Sequence, residues 1–473
     1  MTTDVSSRRW WLLAALALAQ LMIALDTTVV TIALPSAQAD LGFADSARQW
    51  IVTGYALAFG SLLLLSGRLA DRWGRKRALL IGLAGFGIAS AVGGAAPTVE
   101  MLVAARIGQG VFAALLAPAA LALVSTTFTD PAERGRAFGV FGSVSMVGTT
   151  VGLLLGGVLT EVLSWRWTMF INTAIAIPAL IGAALLVRNT SRTTAQRLDL
   201  GGAATITLGL FALVLGTSNA ESAGWAHPLT LALLVVAAAL LAVFVVVETR
   251  VSTPLLPMRV ILERGRGSAL VALVLSSAGL FTTFLFLPYY LQSTLGYSQV
   301  STGLAFLPVP AALVVAAVFI GPALTRRIGA RFVVPIGLTV AGVGALLLIR
   351  IGLHSAYAVH LLPSLILIGA GIGLVIATAT GAATARLADA DAGAAAATVN
   401  AAQQVGGSVG VAVLNTVAAT AAATYLTAHP AAQAATQAAS VVHSYTTAFG
   451  WVGAIFLAGA VATTLISPKD PAE

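Results

Sequence analysis

The sequence predicts an all-α membrane protein with fourteen transmembrane helices, arranged as two six-helix bundles with two extra central helices. Three observations lead to this class. Hydrophobic residues make up 58% of the chain and charged residues only 9%, against about 25% charged residues in a typical soluble domain. Fourteen apolar runs approach the length of about 20 residues that crosses a bilayer. Basic residues cluster in alternate loops, which is typical of multi-pass membrane proteins.

The apolar runs follow one another along the chain and define the expected helices. We expect spans at 10–34, 50–70, 78–97, 101–125, 137–161, 167–187, 200–219, 228–247, 268–292, 302–323, 332–352, 360–382, 395–418 and 445–467. They group into three parts: an N-terminal six-helix bundle over 1–187, two linker helices with flanking cytoplasmic loops over 188–267, and a C-terminal six-helix bundle over 268–473.

The 25 Lys and Arg residues predict the orientation. If the N-terminus is cytoplasmic, all of them fall in cytoplasmic segments except Arg48, Arg106, Arg166 and Arg350. Since cytoplasmic loops are enriched in basic residues, both termini are expected in the cytoplasm. The same pattern explains the net charge of +8 without a nucleic-acid partner. The chain has no cysteine and its five histidines are scattered, so we expect no disulfide, metal site or cofactor.

Asp26 is the only acidic residue well inside any predicted span. A charged side chain at the centre of a helix in the bilayer costs about 3 kcal/mol to insert. Because low dielectric disfavours the ionised form of a carboxyl group, such a group can bind and release a proton near neutral pH. Asp26 is therefore a candidate proton carrier. The alternative is an acid that pairs or hydrogen-bonds for structural reasons.

Arg106 in span four is the matching buried cation. Arginine stays charged at any relevant pH, so Arg106 can hold a carboxylate or backbone carbonyls, or act only as a structural hydrogen-bond centre. Gln109 lies one helical turn further on and is a candidate for lining the same cavity.

The loop after span two runs Gly-Arg-Leu-Ala-Asp-Arg-Trp-Gly-Arg-Lys-Arg from Gly67 to Arg77. An acid near a helix N-terminus can accept backbone N–H groups, so the loop predicts a cytoplasmic latch; a simple basic anchor is the alternative. The latch residues are Gly67, Asp71, Arg72, Gly74, Arg75 and Arg77. A weaker copy of the loop follows span ten, with Arg326 in place of the acid, which indicates two related halves.

These motifs resemble those of the major facilitator superfamily. The loop resembles its signature loop, and Leu25 to Pro35 resembles the first-helix motif of its fourteen-helix drug:proton antiporter branch. Arg106 to Gly110 resembles the fourth-helix arginine motif. The stretch from Ser164 to Trp167, followed by Phe170-Ile-Asn172, is similar to the usual turn between spans five and six. The resemblance covers the whole chain.

The resemblance implies a proton-coupled antiporter that exports hydrophobic, neutral or monocationic drugs or antibiotics by alternating access. It implies that Asp26 exchanges protons and that Arg106 poises the relay. Span five has glycines that allow close helix packing: Gly148, Gly152, Gly156 and Gly157. Related antiporters usually have proline where this chain has Leu153.

Candidate substrate-cavity residues are aromatic and amide side chains within the spans: Tyr55, Gln109, Phe284, Tyr289, Asn400, Gln403 and Gln404. Aromatic rings stack on flat ligands and attract cations, although packing or interface-belt roles are the more frequent ones for any single aromatic residue. The spans of the C-terminal bundle contain no acid, so a dicationic substrate is not expected.

The expected partners are protons, a small hydrophobic substrate and the lipid bilayer, with the proton gradient as the energy source. We expect a monomer in a bacterial cytoplasmic membrane. Two other functions stay open: export of a specific endogenous metabolite or lipid, and a membrane-embedded enzyme. The sequence contains no nucleophile–base pair or metal constellation to support an enzyme, and no P-loop for direct use of ATP.

Overall fold

The computed structural model describes residues 2–128, 130–187, 199–251, 254, 263–384, 389–429 and 434–467, and throughout these ranges the chain forms helices and no strands. The first eight helices are α1 (Thr2–Leu41), α2 (Asp45–Trp73), α3 (Arg75–Gly94), α4 (Val99–Thr127), α5 (Pro131–Val162), α6 (Trp167–Leu186), α7 (Leu200–Ala223) and α8 (Pro228–Arg250). The others are α9 (Arg264–Tyr289), α10 (Gln299–Phe306), α11 (Pro308–Val315), α12 (Gly321–Ile328), α13 (Ala330–Leu347), α14 (Leu362–Thr384), α15 (Asp389–Ala428) and α16 (Ala434–Ile466).

Within the described residues, eleven helical segments are long and apolar enough to cross a membrane. Helices α2, α5 and α7 are not among these eleven, although they cover the predicted spans 50–70, 137–161 and 200–219. Shorter apolar pieces of α5 and α7 run over Thr150–Val162 and Gly201–Thr217. The all-α membrane class is confirmed. The number of fourteen spans and the two extra central helices stay predictions.

In the described part of the second half, three one-turn π-helical segments interrupt the helices, at Tyr290–Thr294, Ala316–Ile320 and Tyr357–Leu361. The predicted span 302–323 is therefore not one regular helix. It consists of α10, α11, a π-helical turn and the start of α12. Irregular turns of this kind are tolerated inside membranes where neighbouring protein groups satisfy the backbone.

Polar caps define several helix starts, because the first N–H groups of a helix need acceptors other than its own carbonyls. Thr98 accepts from the Met101 amide at the start of α4, at 3.4 Å. Asp130 accepts from the Glu133 amide at the start of α5, at 2.9 Å. Asp199 accepts from the Gly202 amide at the start of α7, at 2.7 Å. Each cap lies in the polar connection that the sequence places between two apolar runs.

The chain divides into two compact units. Unit 1 comprises Met1–Thr207 with Val251–Leu255, and unit 2 comprises Leu208–Arg250 with Leu256–Glu473. In unit 1, α1 packs against α5 and α6, and α4 packs against α2 and α3. In unit 2, α9 packs against α15 and α16, and α13 packs against α14 and α16. Helix α8 and most of α7 belong to unit 2, where the Thr416 hydroxyl of α15 donates to the Thr217 carbonyl at 3.0 Å.

The predicted loop repeat uses one backbone device twice. Gly74 ends α2 and begins α3 with φ +96°, and Gly329 ends α12 and begins α13 with φ +80°. Each glycine N–H donates to the carbonyl four residues earlier, from Gly74 to Ala70 and from Gly329 to Thr325. Residues with a side chain rarely adopt positive φ, which explains the glycine at both junctions. The predicted domain limits at 188 and 267 stay a prediction, and the connection 188–198 lies outside the described residues.

Candidate functional site

Asp26 is fully buried on α1, and three side chains donate hydrogen bonds to its carboxylate. Arg106 Nη1 of α4 lies 2.5 Å from Asp26 Oδ2. Gln109 Nε2, one turn further along α4, donates to Asp26 Oδ1 at 3.0 Å. Asn172 Nδ2 of α6 donates to the same Oδ1 at 2.6 Å. All three groups are donors, so the arrangement suits an ionised carboxylate.

Arg106 is only 2% exposed, and its neighbours satisfy most of its donor groups. Its Nε donates to the Ile51 carbonyl of α2 at 3.0 Å, and its Nη1 also donates to Gln109 Oε1 at 2.8 Å. The guanidinium lies over the Tyr55 ring, 4.4 Å from the ring centre. A cation over an aromatic face is attracted by the ring quadrupole. These contacts hold the positive charge beside Asp26.

Gln109 has a partner for each end of its amide. Its Oε1 accepts from Arg106, and its Nε2 donates both to Asp26 and to Ser90 Oγ of α3, the latter at 2.7 Å. Ser90 Oγ in turn donates to the Phe86 carbonyl at 2.7 Å. The cluster therefore joins α1, α3, α4 and α6 inside unit 1. Because each of these polar groups is buried, removal of one member leaves another unsatisfied.

The buried ion pair adds little net stability, but losing one of its charges costs much. Its attraction is offset by the desolvation of both groups, but removing one partner leaves an uncompensated charge that costs about 3–5 kcal/mol. The stability of unit 1 therefore depends strongly on the charge of the Asp26 carboxyl group. Protonation of Asp26 has the same electrostatic consequence as removing one partner.

The glycines of α5 allow the close approach of α1 at this level. A Cβ atom on Gly148 would lie 3.0 Å from Ala24 Cβ, and one on Gly156 would lie 2.8 Å from the Val29 carbonyl oxygen. A Cβ on Gly152 would collide with Thr28 Oγ1 and lie 3.0 Å from the Leu25 carbonyl oxygen. Gly157 is buried beside them. The glycine face of α5 therefore fixes the position of α1 on both sides of Asp26.

Arg166 and Asp40 form a second ion pair in unit 1, where α1 ends and α6 begins. Trp165 Nε1 donates to Asp40 Oδ2 at 2.9 Å, and Arg166 Nη2 donates to the Ala96 carbonyl at 3.1 Å. The Arg166 guanidinium lies 4.5 Å from the centre of the Trp165 ring. Both charged groups are partly exposed. The ion pair therefore connects the end of α1 to the start of α6.

The residues of the predicted latch are spread over the turn between α2 and α3. A Cβ on Gly67 would lie 3.9 Å from Pro118 Cβ, and Arg75 Nη1 donates to the Ala122 carbonyl of α4 at 3.4 Å. Arg72 and Arg77 are exposed. The backbone of Asp71 belongs to α2, but its side chain lies outside the described part of the structure.

The substrate-cavity candidates fall into both units. Tyr55 and Gln109 lie in unit 1, where both belong to the cluster around Asp26 and Arg106. Phe284 of α9 is half-buried and stacks on Phe306, with ring centres 5.5 Å apart, and Tyr289 is buried. On α15, Asn400 is exposed, while Gln403 and Gln404 are half-buried.

Sequence reasoning did not assign Asn172 or Ser90 to the site. The sequence pattern includes Asn172 only as the end of the motif between spans five and six, and Ser90 lies in an otherwise apolar stretch. One signal was present for Asn172, because it is the only amide side chain in α6. An amide within a membrane helix is expected to face a polar partner.

Comparison with known proteins decides the family. The sequence profile of the Major Facilitator Superfamily matches residues 16–411. The chain belongs to the major facilitator superfamily. It is therefore a transporter and a multi-pass membrane protein, not an enzyme.

Several superfamily relatives are similar over most of their length. The puromycin resistance protein pur8 of Streptomyces alboniger is 50% identical over 98% of this chain and 93% of its own. The cephamycin export protein CmcT of Amycolatopsis lactamdurans is 37% identical over 84% of this chain and 83% of its own. The tetracenomycin C resistance and export protein of Streptomyces glaucescens is 32% identical over 88% and 77%.

Solved structures show the same fold at low sequence identity. An auto-inhibited peptide transporter of the POT family superposes with a TM-score of 0.71 at 16% identity, over 98% of this chain and 97% of its own. A bacterial homologue of the human lysosomal transporter Spinster superposes with a TM-score of 0.67 at 15% identity, over 97% of each chain. At this identity the likeness concerns the fold alone.

Proposed function

We propose that this chain is a proton-coupled antiporter that exports hydrophobic, neutral or monocationic drugs or antibiotics by alternating access. The observation that carries the proposal is the fully buried Asp26, held by Arg106, Gln109 and Asn172. Relatives named for puromycin resistance, cephamycin export and tetracenomycin C export support the substrate class.

In this proposal the proton and the substrate favour different states of unit 1. Ionised Asp26 pairs with Arg106, as in the arrangement described above. A proton that enters from outside bonds to Asp26, removes its negative charge and weakens the ion pair. Because a ligand shifts a conformational equilibrium only by its difference in affinity for the two states, this loss of pairing is the event that drives the return step. The proton then leaves on the cytoplasmic side.

The charge of the buried cluster limits the substrate class. Asp26 already has Arg106 as a counter-ion, and the predicted spans of the C-terminal bundle contain no acid. A substrate with two positive charges would find no matching pair of carboxylates there. Neutral and monocationic compounds with flat apolar parts suit aromatic side chains such as Phe284 and Tyr289.

We place the chain as a monomer in a bacterial cytoplasmic membrane, with fourteen spans and both termini in the cytoplasm. The distribution of basic residues supports this orientation. In the same proposal, the loop from Gly67 to Arg77 acts as a cytoplasmic latch that opens and closes with each cycle.

A second candidate is the export of one specific compound, such as an endogenous metabolite. The naming of relatives after a single antibiotic, such as puromycin or cephamycin, favours this narrower reading.

Transport into proteoliposomes with an imposed pH gradient tests the proposal. The panel contains neutral, monocationic and dicationic drugs, puromycin included. We expect gradient-driven accumulation of some neutral or monocationic members and no accumulation with Asp26→Asn. Glu263→Gln is the matched control, because Glu263 is exposed and pairs only with the nearby Arg266 among the described contacts. Accumulation that ignores the gradient, or persists with Asp26→Asn, would overturn proton coupling through this residue.

A further inference from the structure

Asn172 differs from the other ligands of Asp26 in one respect. Its Nδ2 makes a single hydrogen bond, to Asp26 Oδ1, and its Oδ1 is buried without a hydrogen-bond partner. The residue is fully buried. An unsatisfied buried acceptor costs about 1–3 kcal/mol, so its position beside a carboxyl group needs a reason.

Neither of the two other ligands can change from a donor to an acceptor towards Asp26. Arg106 has only donor groups. Gln109 has an acceptor, but that oxygen already accepts from Arg106, and its nitrogen donates to Ser90 as well as to Asp26. A half-turn of the Gln109 amide would break all three of these bonds. A half-turn of the Asn172 amide breaks one bond and brings the unpartnered Oδ1 towards Asp26.

We propose that Asn172 is the ligand that responds to the proton on Asp26, by a half-turn of its side-chain amide. With Asp26 ionised, Nδ2 donates to the carboxylate. When a proton bonds to Asp26 Oδ1, the new O–H group needs an acceptor, and Asn172 Oδ1 turns to receive it. No bond between heavy atoms forms or breaks, and Arg106 keeps its charge. This inference rests on the proposed role of Asp26 as proton carrier.

Among the described contacts, the charged and titratable groups on the helices around Asp26 give it no other acceptor for its proton. Helix α4 contributes Arg106 and α2 contributes Tyr55, whose ring lies under the guanidinium. Helix α5 presents Gly148, Gly152 and Gly156 to α1, and α6 contains no Asp, Glu, Lys, Arg or His. Since Asn172 lies on α6, its half-turn transmits the protonation state of α1 to a second helix of unit 1.

Infrared difference spectroscopy of the purified protein in lipid, between acidic and alkaline pH, tests the proposal. The carbonyl-stretch band that disappears in Asp26→Asn is the band of protonated Asp26. We also expect a difference band from the Asn172 side-chain carbonyl, which moves to lower frequency at acidic pH because Asn172 Oδ1 then accepts a hydrogen bond, and which is absent in Asn172→Leu and Asn172→Ala. In Gln109→Leu, which removes a donor but leaves Asn172 in place, we expect the Asn172 band to persist. Gradient-driven transport should fall about tenfold in Asn172→Leu, the equivalent of one charge-assisted hydrogen bond.

The outcomes separate this inference from the proposed function. If the Asp26 band is present but neither Asn172→Leu nor Asn172→Ala removes a side-chain amide band from the difference spectrum, or if that amide band moves to higher frequency at acidic pH, Asn172 is a fixed donor and the inference is wrong. If Asp26→Asn removes no band, Asp26 does not titrate, and the proposed function fails together with the inference. The alanine variant shortens the side chain without adding bulk, so the test stands if the leucine variant does not fold.

Discussion

Two helix crossings, one in each unit, use the same packing but carry different chemistry. In unit 1, α1 packs on the glycines of α5; in unit 2, α9 packs on Gly406 and Gly410 of α15. A Cβ on Gly406 would lie 2.6 Å from Val274 Cα, and one on Gly410 would lie 2.6 Å from Ala278 Cα. In both crossings the absence of a side chain lets two membrane helices meet at their backbones.

The two crossings differ in the next helix that packs on them, which is α6 in unit 1 and α16 in unit 2. Where α1 meets α6, Asp26 accepts a hydrogen bond from Asn172. Where α9 meets α16, apolar side chains pack on glycines, with the Phe456 ring on Gly279 and Leu275 on Gly459. Polar residues do occur in α9: the Thr282 and Thr283 hydroxyls donate to carbonyls of their own helix, and the Ser268 hydroxyl, near the start of α9, donates to the Thr463 carbonyl of α16 at 3.4 Å. The repeated packing therefore serves the structure, and the carboxyl–amide pair is an addition specific to unit 1.

The largest expected effect separates the two crossings directly. Asp26→Asn should reduce gradient-driven transport by at least about 100-fold, the scale of a lost proton-transfer group. Ser276→Ala in α9, which also changes a buried polar residue of a crossing helix, should leave transport within about twofold, as expected away from the proton site. Both are measured in proteoliposomes at matched protein density. Equal losses in the two variants would show that unit 1 has no special role in coupling.

Removal of the counter-ion should damage unit 1 through an unpaired charge. Arg106→Leu leaves Asp26 buried beside an apolar group, and we expect a loss of stability of about 3–5 kcal/mol. The double variant Asp26→Asn/Arg106→Leu should be more stable than Arg106→Leu alone, because the unpaired charge is gone. Thermal unfolding in detergent measures both. A double variant less stable than Arg106→Leu would contradict the buried ion pair as described.

Matched glycine substitutions in the two units should lower stability by similar amounts but affect the pH dependence of transport differently. Gly152→Ala and Gly410→Ala each place a Cβ against a neighbouring helix, so each should lose about 1–3 kcal/mol. Only Gly152→Ala moves the helix that carries Asp26, so only this variant should change the pH dependence of transport. Thr28→Ala removes the hydroxyl that Gly152→Ala would meet, and should partly restore it. The comparison fails if Gly410→Ala alters the pH profile as strongly.

The smallest expected effect concerns the repeated loop. Asp71→Asn should slow transport a few-fold, consistent with about 1 kcal/mol for a charge at a helix terminus, while substrate binding stays unchanged. Arg326→Gln, at the corresponding position of the second loop, should have less effect on the rate. Transport rates and equilibrium binding of the same drug distinguish the two cases. Weaker binding by Asp71→Asn at an unchanged rate would exclude the latch.

The sequence alone was enough to select residues whose polar or charged side chains are unusual in a membrane helix. Asp26, Arg106 and Gln109 were selected because charged or amide groups are unusual in a membrane helix. Gly74 and Gly329 occupy matching places in the two copies of the loop, and this repeat is visible in the sequence. Both inferences depend on local features, which a single sequence displays.

Other features depend on packing between distant segments and were not predictable in the same way. Asn172 lies far from Asp26 in sequence and reaches it only because α6 packs on α1. Tyr55 was a candidate for the substrate cavity, and the structure places its ring against Arg106. The π-helical turn at Ala316–Ile320 lies inside a run that is uniformly apolar, so composition gave no indication of it.

In the proposed cycle, substrate and proton compete through Asp26. The most direct test of this competition is proton release from purified protein in weakly buffered solution, followed with a pH-sensitive dye on addition of a transported drug. Across a series of starting pH values, wild-type protein should release protons when the drug binds in at least one of them, and Asp26→Asn should release none. Equal release from both proteins, or none from a wild-type protein that binds the drug, would contradict the account.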